Sequence, residues 1–264
     1  FDQVGAFIAA ELLREKADVN LERAFAVTEP LIELAIKRLE ISENAIIGLF
    51  GELLLLDALC RRADDMHVGP VVQAWDGWRR SARDLTWEGT GVEIKTTTRS
   101  TSSHGVHGVH QIEPAAATDD GPGESRLLLV SIGLQQTDPN VPALSIPSLV
   151  ENIVARLTVS GASGLVDEFL KRVAMYGSES GIGYEHATMA KEAPFTTTFS
   201  VTFVRGYDMA DPAVEVLRRD DVVAHQHVDA QSLTFRMELP ATISLNNPIA
   251  GARRVAEAIL GLHN

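Results

Sequence analysis

One fourteen-residue stretch constrains this chain more than any other. From Arg83 to Thr96 it reads RDLTWEGTGVEIKT, two runs of alternating apolar and polar residues around Glu88-Gly89-Thr90-Gly91. Alternation at a period of two, with turn chemistry between the runs, predicts a β-hairpin. A two-residue Glu88-Gly89 turn pairs Trp87 with Thr90, Leu85 with Val92 and Asp84 with Glu93. Leu85, Trp87, Val92 and Ile94 then share an apolar face turned to a core, and Asp84, Glu93 and Lys95 share the other. A slip of one residue would drive charged side chains into the apolar face, so burial itself fixes the register.

Carboxylates directly across such a pair lie about 5 Å apart at Cβ. That placement is repulsive unless a cation compensates it. Lys95 is one compensator, and a divalent metal is a better one. Hard cations such as Mg²⁺ take one or two protein carboxylates, keep several waters and use substrate phosphate as a further ligand. An ion of this kind polarises a phosphodiester and lowers the pKa of bound water. Lys95 would sit beside the attacked phosphate, orienting water or stabilising charge in the transition state. The alternative is a solvated hairpin face with a surface ion pair. Glu52 stands among Leu49, Phe50 and Leu53 to Leu56, where an unpaired ionised carboxylate would cost several kcal/mol. It reaches a surface, pairs with an arginine, or joins the hairpin acids as a third metal-site carboxylate.

The rest of the chain supplies the frame. Residues 1–40 read as helical, with Leu31, Leu34, Ala35 and Leu39 on one side and Pro30 at a helix start. A second helix is expected from Ser42 to about Ala63, apolar nearly all round, with Gly48 and Gly51 allowing close approach. Strands are expected at 68–75, at 83–87 and 92–98, and at 126–134, the last buried on both faces. Residues 100–108 and 115–125 read as loops. Helices fit 148–159 and 163–176, each closed by a glycine (Gly161 and Gly177). A strand at 196–207, a helix after Pro212, strands across 222–239 and a final helix from Pro248 follow. Helices, then strands, then mixed elements indicate an α/β or α+β domain.

Composition removes several classes. The chain has 264 residues, enough to bury a sizeable core, and its single cysteine, Cys60, cannot form an internal disulfide. Cys60 lies on the apolar helix and reads as a small core residue. The most apolar stretch, 45–60, is interrupted by Glu52 and Asp57 and falls short of the roughly 20 residues of a membrane span. No signal peptide is visible, so a cytoplasmic protein is expected. A net charge of −13 argues against a general nucleic-acid coat, but residues 61–111 carry +1, against −6 before them and −8 after. Arg79, Arg80, Arg83 and Arg99 flank the hairpin and would contact phosphates, or merely neutralise neighbouring acids. His104, His107 and His110 lack the nearby cysteines or carboxylates of a zinc site. His225 and His227 read as surface residues of a strand. Trp75 and Trp78 either pack in the core or stack on bases. No phosphate-binding glycine loop, HExxH or CxxC occurs.

Asp84, with Glu93-Ile94-Lys95 after eight intervening residues and a helical glutamate before it, resembles the PD-(D/E)xK nuclease superfamily. The stretches GLFGELLLLDAL (48–59), VEIKTTTRS (92–100), HQIEP (110–114) and LLLVSIGL (127–134) are similar to its bacterial "PD-(D/E)XK motif protein" branch, linked to restriction and phage-defence loci. The resemblance covers roughly residues 40–135, and Arg83 stands where the superfamily's name has proline. It implies a restriction-endonuclease-like core with a central mixed β-sheet flanked by helices (41–135). A helical segment would precede it (1–40) and an α/β extension follow it (136–264), the latter for dimerisation or partner contacts. It also implies Mg²⁺-dependent DNA cleavage, with Mn²⁺ as substitute. Asp84, Glu93, the Ile94 carbonyl and Glu52 would hold the metal, Lys95 would act on water or the transition state, and Gln111 would lie near the site or serve structure alone. A homodimer and protein partners of a defence system are expected. A non-catalytic DNA-binding subunit and an RNA-directed nuclease are the rival readings.

Overall fold

The computed structural model describes residues 2–79, 81–117, 123–137, 143–177, 184–225, 227–229 and 232–262, with residues 2–4 and 33–42 described by backbone alone. Three helices open the chain: α1 (Asp2–Arg14), α2 (Leu21–Arg62) and α3 (Asp65–Gln73). Asn20 caps α2 by accepting from the Arg23 N–H. Where two helices were expected, with a new start at Ser42, α2 runs unbroken for 42 residues through Pro30 and Ser42. Between Leu31 and Ile47 there is no glycine or proline to stop it, and an interior serine costs a helix only a few tenths of a kcal/mol. The strand expected at 68–75 is a second correction, since α3 occupies most of it. Asp64 accepts from the His67 N–H as N-cap, and a short apolar run does not by itself distinguish a buried strand from a buried helix.

The hairpin follows as β1 (Leu85–Trp87) and β2 (Thr90–Thr97), in the register Leu85–Val92 and Trp87–Thr90. Glu88 and Gly89 both have positive φ, which is the turn geometry that matches strand twist. After β3 (Ser102–His107), β4 (Arg126–Gln136) returns parallel to β2. Next come α4 (Ile146–Val159), α5 (Val166–Met175), two single turns α6 (His186–Met189) and α7 (Ala193–Thr196), and β5 (Phe199–Asp208). The chain closes through α8 (Arg219–Val223), β6 (Thr234–Leu239), β7 (Ile249–Ala250) and α9 (Ala252–Ile259). The main sheet has the order β1-β2-β4-β5-β7, with β2 and β4 parallel and the other pairs antiparallel. This is the expected central mixed sheet, in an α/β fold of the restriction-endonuclease-like kind.

Alternation along the strands sorts their side chains onto two faces. One face carries Val92, Ile94, Leu128, Val130, Ile132 and Leu134 into the large core built with α2, α3, α4 and α9. Gly51 of α2 lies against Thr96, where a Cβ would come within 2.7 Å of its methyl, so the helix seats directly on β2. The opposite face is covered by a second, two-stranded sheet, β3 against β6. There Leu127, Leu129 and Tyr207 meet Val106, Met237 and Leu239 in a smaller core. Strands β5 and β7, from beyond residue 136, lie in the same sheet as β2 and β4.

Other expectations need correction. Residues 102–107 form a strand rather than a loop, because their partner β6 lies more than a hundred residues away and leaves no local trace. The segment after Pro212 is irregular until α8, which also takes Val222 and Val223 out of the expected strand, so His225 and His227 are exposed but follow a helix. Among the described residues no helix is long and apolar enough to cross a membrane.

Candidate active site

Asp84 stands just before β1 begins, beside the part of β2 that runs on past it. Its own N–H donates to the Val92 carbonyl (3.2 Å), and its carbonyl accepts from the N–H groups of Asp76 and Gly77. The side chain extends the ladder in place of a strand, with Oδ2 accepting from the Ile94 N–H at 2.6 Å. Successive residues of a strand direct their backbone groups to alternate edges, so the Ile94 carbonyl points to the same edge as that N–H. Burial pushes the Asp84 carboxyl up to about 7, helped by the Glu93 charge and opposed by the Ile94 N–H, Lys95 and Arg83.

Glu93 and Lys95, two residues apart on β2, point to the same face. Lys95 Nζ lies 2.9 Å from Glu93 Oε1, and the lysine is 17% exposed. The ammonium also donates to Gln111 Oε1 at 3.2 Å, and the same oxygen accepts from the His107 N–H at 2.9 Å. Gln111 is thereby a clamp on the amine and on the chain leaving β3. Across β2, β4 and β5, Lys95, Ser131 and Arg205 are register partners, a polar row on an otherwise packed sheet. His104 from β3 closes over that row, its Nε2 2.7 Å from Ser131 Oγ.

Glu52 approaches from α2, on the helix side. Its Oε2 accepts from the Trp75 indole at 2.7 Å and its Oε1 from the Tyr176 hydroxyl at 2.8 Å. Burial raises its pKa well above the ordinary value, and Asp84 and then Glu93 contribute in the same direction. Gly77 is the residue that permits this arrangement, because a Cβ there would fall 1.8 Å from Glu52 Oε2. Trp75 is fully buried and serves the core and Glu52, so it is no platform for bases. Trp78 is half-buried, with the Arg79 and Arg172 guanidiniums 5.5 and 5.6 Å from its ring centre.

The flanking arginines separate. Arg83 is a correction: it is 5% exposed and forked onto Glu124, with further bonds to the carbonyls of Ala82, His110 and Glu113. A guanidinium saturated in this way has no donor for a phosphate. It pins the loop that carries Gln111 to the start of β1. Arg79 is exposed and paired to Asp76. Arg99 lies with Lys95 along one cavity. Arg80 lies outside the described residues. Cys60 is buried, and burial pushes its thiol up to about 12, as suits a core residue.

A family model described as "Putative PD-(D/E)XK family member, (DUF4420)" matches residues 30–201. The chain belongs to that family. No curated protein and no solved structure matches it. In this PD-(D/E)XK family member the matched span holds Glu52, Asp84, Glu93, Lys95 and Gln111, while α8, α9, β6 and β7 lie beyond it. The residue pattern points to a nuclease-type enzyme using a divalent metal. Among the described residues no three His, Cys, Asp or Glu side chains converge into a metal cage. Mg²⁺ asks for less: one or two carboxylates, with waters and substrate phosphate completing its shell. Asp84, Glu93 and the Ile94 carbonyl are an all-oxygen set of the kind a hard cation takes. Both Glu52 oxygens already serve Trp75 and Tyr176. Tyr176, Gly77 and Ser131, and the role of Trp75 in holding Glu52, escape a reading of the sequence, because each acts through a contact distant along the chain.

Proposed function

We propose that this protein is a Mg²⁺-dependent endodeoxyribonuclease, with Mn²⁺ as substitute, that hydrolyses DNA phosphodiester bonds in restriction or anti-phage defence. The observation that carries the reading is the meeting of Asp84, Glu93 and Lys95 along β2, with Lys95 also lining a cavity. Asp84, Glu93 and the Ile94 carbonyl would hold the cation, which when bound polarises the phosphate and lowers the pKa of water. Lys95 has three N–H donors, and Glu93 and Gln111 engage two of them. The third is available to the attacking water or to a phosphate oxygen, where it stabilises the charge that builds in the transition state. Glu52, its carboxyl held by Trp75 and Tyr176, borders Asp84 from the helix side and would complete the metal site there. Cutting both strands of a duplex takes two such sites, which supports a homodimer acting in the cytoplasm, together with protein partners of a defence locus.

Plasmid nicking tests this. Supercoiled DNA incubated with the wild-type protein should be nicked in Mg²⁺ or Mn²⁺ and left intact in EDTA, and Asp84→Ala should abolish the cutting. Gel shifts without cleavage in any metal would favour a non-catalytic DNA-binding subunit. Preferential cutting of RNA in a parallel reaction would move the assignment to an RNA-directed nuclease.

A further inference from the structure

Strand β6 lies outside the span of the family match, yet it walls the cavity next to Lys95. That cavity, about 260 Å³, is bounded by Lys95 and Arg99 from β2 and the turn after it, Ser103 and His104 from β3, Asn44 from α2, and Arg236 from β6. Among the described residues lining it there is no carboxylate, in a chain of net charge −13. None of these described residues is Phe, Tyr or Trp, and its one aromatic ring, His104, is buried against Ser131. Its volume is below the ~300 Å³ at which pockets for whole small molecules begin. Such a space suits a phosphate and part of its sugar, gripped by charge rather than read by sequence.

Arg236 is exposed and stands directly across from Gly105 in the β3–β6 ladder. Paired residues share a face, and Gly105 has no side chain to lie over the arginine. A Cβ built at Gly105 would meet only His107 Nε2, at 3.8 Å. The guanidinium donates to Ser103 Oγ at 3.3 Å, and that hydroxyl donates in turn to Glu238 at 3.2 Å. His104 lines the cavity with Lys95 and Arg236, its ring buried against Ser131. The lysine and the arginine thus bound one cavity.

We propose that Arg236 is a DNA-positioning residue whose guanidinium, with Arg99, grips backbone phosphates next to the one presented to Lys95. The proposal rests on the nuclease reading above for the identity of the polyanion. It makes the small sheet part of the substrate channel and assigns binding work to a strand beyond the family match. Because Arg236 touches neighbouring phosphates and not the reacting one, it acts on substrate affinity and leaves the chemical step alone.

Two experiments on the full chain decide it, with Arg236→Gln and Arg236→Lys. In EDTA, fluorescence anisotropy of a short labelled duplex is followed across a KCl series. Arg236→Gln should bind about 5–10-fold more weakly near ~0.1 M salt, with a log–log salt slope shallower by about 1, and Arg236→Lys should recover most of the loss. In Mg²⁺, KM for DNA should rise by a similar factor while kcat at saturation holds, with both variants melting at the wild-type temperature. Unchanged affinity and slope in Arg236→Gln would overturn the proposal, as would a fall in kcat at constant KM or a wild type that binds no DNA. A wild type that binds, loses affinity in Arg236→Gln and yet never cuts would leave the grip standing and remove the nuclease reading.

Discussion

The two faces of the central sheet are packed to different ends. Toward α2, α4 and α9, every described inward position of β4, from Leu128 to Leu134, is apolar and buried. Toward β3 and β6 the same strand begins alike, with Leu127 and Leu129, and then presents Ser131 between Lys95 and Arg205. The helix face is continuous because helices can cover the whole of it. The other face is covered by only two short strands, and where their apolar contacts stop the polar row begins. Apolar packing up to that line holds Glu93 and Lys95 in place, and beyond it Lys95 borders the cavity it shares with Arg99 and Arg236.

Changes on each face should separate function from folding. Lys95→Ala should cut Mg²⁺-dependent nicking by about 10³-fold, or ~4 kcal/mol of transition-state stabilisation, with the fold intact by circular dichroism. Residual activity within tenfold of wild type would place the chemistry elsewhere. On the helix face, Leu128→Ala should cost about 3–4 kcal/mol in urea unfolding, since the side chain is fully buried. A loss under about 1 kcal/mol there would mean that this face is not the tightly packed one.

A smaller effect should come from the boundary between the faces. Burial, then Lys95 and Arg236, push the His104 pKa down to about 4. The unfolded chain therefore takes up the proton first, near the ordinary value of about 6.5. Stability is full above that pH and falls as the pH drops toward 4, by at most about 3 kcal/mol. Unfolding measured at several pH values should show this slope in the wild type and a flatter one in His104→Gln. Equal slopes would show that His104 is not held neutral. The smallest change is expected from Arg79→Ala, because the Asp76 pair is exposed at the surface. Its melting temperature should match the wild type within error.

How far the sequence could be read follows the same division. The hairpin register, the buried β4 strand and helices α4 and α5 announce themselves through local periodicity and turn chemistry. The apolar face sufficed to put Glu93 and Lys95 on one side of β2. It did not place Asp84, which precedes β1 and turns its side chain to the Ile94 N–H at the sheet edge instead of standing across from Glu93. The run at 68–75 misleads because VGPVV is too short to reveal its period, and β3 is silent because Ser, His and Gly carry no strand pattern until β6 arrives. Arg83 reads as a phosphate contact from its position, but Glu124, forty-one residues on, turns it inward. Tyr176 reaches Glu52 across 124 residues, a pairing no local rule supplies.

The proposal that a hard divalent ion sits among the acids and the amine of β2 is tested directly by crystals soaked in Mn²⁺. Anomalous density should appear between the carboxylates of Asp84 and Glu93, within coordination distance of the Ile94 carbonyl, and vanish in Asp84→Ala. Well-ordered side chains with no such density at saturating Mn²⁺, or density confined to another part of the molecule, would contradict it.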